Sequence, residues 1–199
     1  NKIRVGTLAS ASNYYQAVQG EQGFEYELSQ AFADYLGVEL EIVPFFNLSD
    51  MFERLESGDL DLIASGLTYN KVRAQQYRYG PTYRTISQKL VYKQGRVRPR
   101  EFDDLDGNFT VIAKSSHSLT LQKIKKSNPD LTWQETEELD EEELLQAVID
   151  GEIDYTLADS HTLSLFRRYH PNLSIGFSVT RNDPIAWILN KSKDDSLYA

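Results

Sequence analysis

A gapless internal match constrains the fold of this chain more than any other feature of its sequence. FERLESGDLDLIASG (52–66) aligns on LQAVIDGEIDYTLAD (145–159): a helix end, then Gly58 or Gly151, an acidic residue, an aliphatic one, Asp61 or Asp154, and an apolar strand. A supersecondary unit that recurs along one chain predicts two lobes built alike. The segments upstream of each copy agree. In the first half Ile3 to Thr7 alternates like a strand, and Ser10 to Gly23 is a long polar loop. From Glu25 to Leu36 the apolar positions Leu28, Ala31, Phe32 and Tyr35 recur at helical spacing, stopped by Gly37. Val38 to Val43 reads as a strand ended by Pro44, Ser49 caps a helix to Glu56, and Leu60 to Ala64 closes the series as a strand.

The second half spells the same order. Phe109 to Ala113 is a strand, Leu119 to Lys126 a helix and Leu131 to Gln134 a short strand. Glu141 to Ile149 is a helix with Asp140 and Glu143 placed as a capping box, and Ile153 to Ala158 is the closing strand. The predicted fold is α/β: two lobes, each a βαβαβ unit with helices on both faces of its sheet. Lobe 1 spans 1–83 and lobe 2 spans 84–182, including a crossover strand at 88–93; 183–199 returns towards lobe 1. Between the halves, GRVRPREFDDLDG (95–107) is charged, punctuated by Pro and Gly, and lacks apolar periodicity.

Composition narrows the function. The formal net charge is −9 and the chain has no cysteine. The charge has the wrong sign for a nucleic-acid binder, and neither a disulfide framework nor a Cys-rich zinc site is available. No run reaches the roughly 20 apolar residues of a membrane span, so membrane association is expected only through parts outside this chain.

In open α/β sheets, ligands bind beyond the carboxyl ends of the strands. The residues falling there are Thr7 to Tyr15, Ser65, Gly66 and Thr68, then Lys114, Ser115, Ser116 and His117, and finally Asp159 with Ser160. Arg73 follows Thr68 by five residues, in a short helix begun by Asn70. A guanidinium fork holds a carboxylate bidentately, and Asp159 is suited to an ammonium, a pairing that describes an α-amino acid. The bland alternative is that Arg73, like most arginines on a helix, is a solvated side chain; read as a ligand-binding residue in an exposed cleft it contributes little to the core, so Arg73→Ala is expected to remove ligand binding and leave the fold intact.

SGLTYNKVRAQQYRYGPTYRTISQKLVYKQG (65–95), GFEYELSQAFADYLGVELEIV (23–43) and LLQAVIDGEIDYTLADS (144–160) resemble the type-2 periplasmic solute-binding proteins of the polar amino-acid class. Within that family the chain is similar to the regulatory domains joined to peptidoglycan-cleaving lytic transglycosylases, through 80–99 and 154–162. The resemblance implies a mixed sheet in each lobe and a periplasmic location, with outer-membrane association in the longer protein. It implies that Arg73 binds a ligand α-carboxylate with help from Thr68, Ser115, Ser116 and His117. Asp159 and main-chain groups near Ser65 and Gly66 would take the amino group, and Tyr14 or Tyr15 would cover the side chain. The implied partners are an amino acid or a peptidoglycan-derived peptide and a covalently attached catalytic domain, with no cofactor and no catalytic residue in this chain. The family adds a further helix after the return segment, so the resemblance also implies that the chain is a fragment.

Other chemistries have weaker support. His117, His161 and His170 lack metal-ligand spacing, so no metal is expected. Ser116 beside His117 is not a catalytic pair, and neither a G-x-S-x-G elbow nor a phosphate-binding glycine loop is present. A free-standing transport receptor is one alternative function; another is a glycoside hydrolase using paired carboxylates. The acidic run Glu135 to Glu143 would have to supply that pair, and it reads instead as a solvated helix start.

Overall fold

The computed structural model describes residues 1–191 and 196–198; the rest of the return segment expected at 183–199 lies outside the described residues. The chain forms two compact units, Asn1–Thr85 with Pro184–Ala199, and Ile86–Asp183. In chain order the first contains β1 (Lys2–Leu8), β2 (Tyr15–Ala17), β3 (Gly20–Gln22), α1 (Phe24–Leu36), β4 (Glu39–Phe45), α2 (Leu48–Glu56), β5 (Leu62–Ile63), α3 (Arg73–Gln76) and β6 (Tyr77–Tyr79). The chain leaves through β7 (Arg84–Ile86).

The second unit holds β8 (Gln88–Lys93), β9 (Thr110–Ile112), α4 (Ser116–Lys125), β10 (Gln134–Thr136), α5 (Glu141–Asp150), β11 (Tyr155–Asp159), α6 (Ser160–Phe166) and β12 (Leu173–Ser178). The chain returns through β13 (Asp183–Ile185), which pairs with β7, to β14 (Ile188–Asn190).

The first unit is a five-stranded mixed sheet in the order β4-β1-β5-β14-β6. Strand alternation sends neighbouring residues to opposite faces. Ile3, Val5 and Leu62 pack with Ala33 and Phe32 of α1, whereas Ile63 and Ile188 pack with Met51 and Leu55 of α2. The left-handed Gly37 (φ 68°) ends α1 as its sequence predicts, its N–H bonding back to the last turn. Three details differ from the sequence reading. Pro44 lies inside β4, opposite Thr7, which is tolerated because β4 is an edge strand. Asn47, not Ser49, caps α2, its Oδ1 accepting the Asp50 N–H at 2.9 Å. The loop at 10–23 contains the β2–β3 hairpin, in which Tyr15 faces Gln22.

In the second unit the antiparallel trio β11-β8-β12 accompanies the parallel pair β10-β9, joined by a bridge between Phe109 and Tyr155. Leu90, Tyr155 and Leu157 pack with Leu121 of α4, and Val91 and Ala158 pack with Leu145 and Val148 of α5. The capping box forms as read, with Glu143 N–H on Asp140 Oδ1 and Asp140 N–H on Glu143 Oε2, both at 2.8 Å. Helix α4 begins at Ser116 rather than Leu119, and the strand expected at 131–134 lies at 134–136.

The repeat has a physical cause. Gly58 (φ 79°) and Gly151 (φ 80°) turn the chain out of α2 and α5 in the left-handed region that only glycine enters freely. Asp61 then pairs with Arg4 at the head of the neighbouring strand: Arg4 N–H donates to Asp61 Oδ2 at 2.7 Å, and Asp61 N–H donates to Arg4 O at 2.9 Å. Asp154 does the same with Asn108, at 2.7 Å and 3.0 Å. Arg4 also forks onto Asp61 through Nε and Nη2. Burial works to raise the Asp61 pKa, but these bonds and the Arg4 charge outweigh it and hold the carboxyl below its ordinary value. Asp61→Ala is expected to destabilise the protein by about 1–2 kcal/mol in urea unfolding, because it strands the Arg4 N–H. A loss of only a few tenths would mean that the pairing is incidental.

Candidate functional site

In the first unit the predicted residues gather where β1 and β5 end. Ser65 ties the two together: its Oγ accepts the Leu8 N–H at 2.9 Å and the Asn13 Nδ2 at 3.3 Å. Gly66 adopts φ 61°, turning the chain so that its N–H meets the carboxylate of Glu25. Thr68 is buried and bridges to Ile185, while its carbonyl accepts the Tyr79 hydroxyl at 3.5 Å. Asn70 starts the turn into α3, its Oδ1 accepting the Val72 and Arg73 N–H groups at 2.7 Å and 3.3 Å.

Arg73 opens α3 and, contrary to the expectation of a solvated side chain, is only 9% exposed. Its guanidinium lies 5.1 Å from the Phe52 ring centroid. Burial lowers its pKa, an effect that the hydroxyls of Tyr79 and Tyr77 partly offset. An arginine stays charged under such a shift, so the site keeps a desolvated cation. The two candidate aromatics differ: Tyr14 is buried with its hydroxyl on Glu21 at 2.9 Å, whereas Tyr15 is 41% exposed and bonds Gln22 at 2.9 Å.

In the second unit Ser115 caps α4, its Oγ accepting the Ser118 N–H at 3.2 Å and donating to the Ile112 carbonyl at 2.6 Å. Ser116 occupies the first turn of that helix. One turn position places His117, 3% exposed, against Asp159, 8% exposed at the end of β11, with Nε2 2.9 Å from Oδ1. Asp159 Oδ2 has no hydrogen-bond partner among the described residues.

Glu141 joins this pair. Its Oε1 accepts the Asp159 N–H at 2.6 Å. Burial and the Asp159 charge push its carboxyl up to about 8, against the opposing pull of His117. His117 is pushed down by burial and up by the charge and hydrogen bond of Asp159, with the upward effect dominant. Near neutral pH Glu141 therefore keeps its proton. Among the described residues these three form the one group of potential metal donors, with ligand atoms within 4.8 Å of one another. Their facing atoms already bond one another, so a cation would have to displace the His117–Asp159 bond.

The sequence reading missed two of these groups. The sequence pattern places Glu141 in a solvated acidic run, yet its side chain turns in to Asp159, because the capping box fixes the first turn of α5 beside β11. Glu25 reads as an ordinary acidic residue in a first turn, yet it is 2% exposed and holds Gly66, the Tyr83 hydroxyl and Trp187 Nε1. No local signal marks either, since the partners lie 18, 58 and 162 residues away.

Comparison with known proteins gives concordant matches. A profile of the bacterial extracellular solute-binding proteins, family 3, matches residues 3–141. A membrane-bound lytic murein transglycosylase F of Pseudoalteromonas translucida (strain TAC 125) is 89% identical over all 199 residues, which make up 42% of its length. The protein of that name from Idiomarina loihiensis is 49% identical over 99% of the chain and 44% of its own length. The chain thus spans less than half of these relatives. Among solved structures, an ancestral arginine-binding protein bound to arginine superposes with a TM-score of 0.84 at 22% identity, over 96% of this chain and 85% of its own. An ancestral amino-acid-binding protein, a precursor of cyclohexadienyl dehydratase, gives 0.82 at 24% identity over 99% and 85%. These structural likenesses establish a two-lobed, type-2 periplasmic-binding-protein fold.

Proposed function

Because the chain belongs to the bacterial extracellular solute-binding proteins of family 3, we propose that it binds a small zwitterion, an amino acid or a peptidoglycan-derived peptide with a free α-amino-acid end. Arg73 takes the α-carboxylate beside Thr68, and the open Oδ2 of Asp159 takes the ammonium, with Ser115, Ser116 and His117 completing the second unit's share. Ser65 and Gly66 offer main-chain groups, and Tyr14 or Tyr15 shields the ligand side chain. The observation that carries this reading is Arg73 itself, a guanidinium 9% exposed among Phe52, Tyr77 and Tyr79. A desolvated guanidinium interacts with an incoming carboxylate far more strongly than one in water.

A ligand engaging both units stabilises whichever arrangement brings both to it. In the longer relatives a lytic transglycosylase is the natural reader of that state, so this domain regulates peptidoglycan cleavage in the periplasm, at the membrane. The identity of 89% to a transglycosylase of that name favours this setting over a transport receptor.

A thermal-shift screen against the twenty amino acids and short peptidoglycan stem peptides tests the binding reading. A ligand at about 100 times its Kd adds roughly 2.7 kcal/mol, a shift of about 5–10 °C for a chain of this length. Absence of a shift with every zwitterion, in folded protein, would overturn it.

A further inference from the structure

We propose that the second unit carries a separate site for phosphoryl anions, formed by Arg98, Arg100 and Arg181. The three line a hollow of about 480 Å³ together with Gly176, Phe177 and Ser178, and no acidic residue lines it. Such a convergence is unexpected in a chain of net charge −9.

The backbone sets it up. In Arg98-Pro99-Arg100 both arginines are exposed while the proline between them is buried. Pro99 packs so tightly on Gly176 that a Cβ there would stand 3.0 Å from Pro99 Cγ. Arg98 Nε donates to the Gly176 carbonyl at 2.9 Å, which orients the guanidinium and leaves its terminal nitrogens for a ligand. Phe177 is fixed edge-on against Phe102, with centroids 5.1 Å apart. Lys89 Nζ donates to Ser178 Oγ at 2.7 Å, which fixes that lining hydroxyl.

The neighbouring Arg96 shows what an internally neutralised arginine looks like here: it pairs with both Asp106 and Asp154. Arg98, Arg100 and Arg181 form no ion pair among the described residues. Carboxylates close by in sequence are engaged elsewhere: Glu101 accepts the Asp104 N–H, Asp104 accepts the Arg100 and Glu101 backbone N–H groups, and Asp183 accepts the Thr180 hydroxyl. Several guanidinium forks around one hollow match the oxygens of a phosphoryl group, whether free or on a lipid headgroup.

Pyrophosphate titration of the chain by calorimetry, with a parallel flotation assay on vesicles of phosphatidylglycerol or phosphatidylcholine, tests the proposal. The comparison protein is Arg100→Gln/Arg181→Gln, which keeps the Arg98–Gly176 bond. Saturable pyrophosphate binding, weakened at least tenfold in this variant and unchanged in Arg73→Lys, assigns a soluble phosphoryl ligand. Flotation with phosphatidylglycerol alone, lost in the variant, assigns a headgroup. Binding of neither, or binding that the double substitution leaves within twofold, overturns the site. The Arg73→Lys control keeps this outcome distinct from failure of the zwitterion site.

Discussion

Arg73→Lys is expected to weaken zwitterion binding by about 30- to 150-fold, while moving the thermal midpoint by no more than a few degrees. Lysine keeps the charge but loses the planar fork that accepts a carboxylate through two parallel bonds, and a charge-assisted bond of that kind contributes about 2–3 kcal/mol. The structure changes which substitution is informative. Since Arg73 is buried over Phe52, Arg73→Ala removes packing and a cation–π contact as well as the fork, so it should both abolish binding and lower stability by about 1–2 kcal/mol. Isothermal titration with each variant, beside its thermal midpoint, separates the effects. Binding by Arg73→Lys within threefold of the parent would remove Arg73 from the site.

The second large effect concerns pH. A glutamate whose carboxyl moves from 4.5 to about 8 on folding keeps its proton in the native state while the unfolded chain has lost it. Between those values the folded form binds more protons, so stability falls as pH rises. His117 acts in the same direction: its raised pKa contributes stability that is complete below 6.5 and is lost as pH rises through the folded value. Burial also raises Glu25, which adds to the slope. The thermal midpoint should therefore drop between pH 6 and pH 8, by an amount on the order of 1 kcal/mol or about 2–4 °C per pH unit. Glu141→Gln retains the acceptor for the Asp159 N–H and cannot ionise, so its midpoint should be higher at pH 8 and its slope shallower. A slope equal to the parent's would show that Glu141 does not govern the titration.

How much of this the sequence reveals depends on the range of the interactions involved. Gly37, Gly151 and the Asp140–Glu143 box act within one helical turn, and each is legible from local spacing. The matched Asp61 and Asp154 mark a repeated unit because each closes onto the strand beside it. By contrast β12, the β2–β3 hairpin and the true α2 cap at Asn47 carry no strong periodic signal and emerge only from pairing or cap geometry. The site divides likewise. Its strand-end residues follow from topology, but the burial of Arg73 and the inward turn of Glu141 depend on neighbours that the local pattern does not name.

The central claim is tested most directly by titrating the chain with the L-amino acid or stem peptide that gives the largest thermal shift, alongside its α-amide and N-acetyl derivatives. The account predicts that the amide, lacking the carboxylate for Arg73, and the acetylated form, lacking the ammonium for Asp159, each bind at least tenfold more weakly than the parent zwitterion. Equal affinity for all three would contradict a zwitterion site held by Arg73 and Asp159.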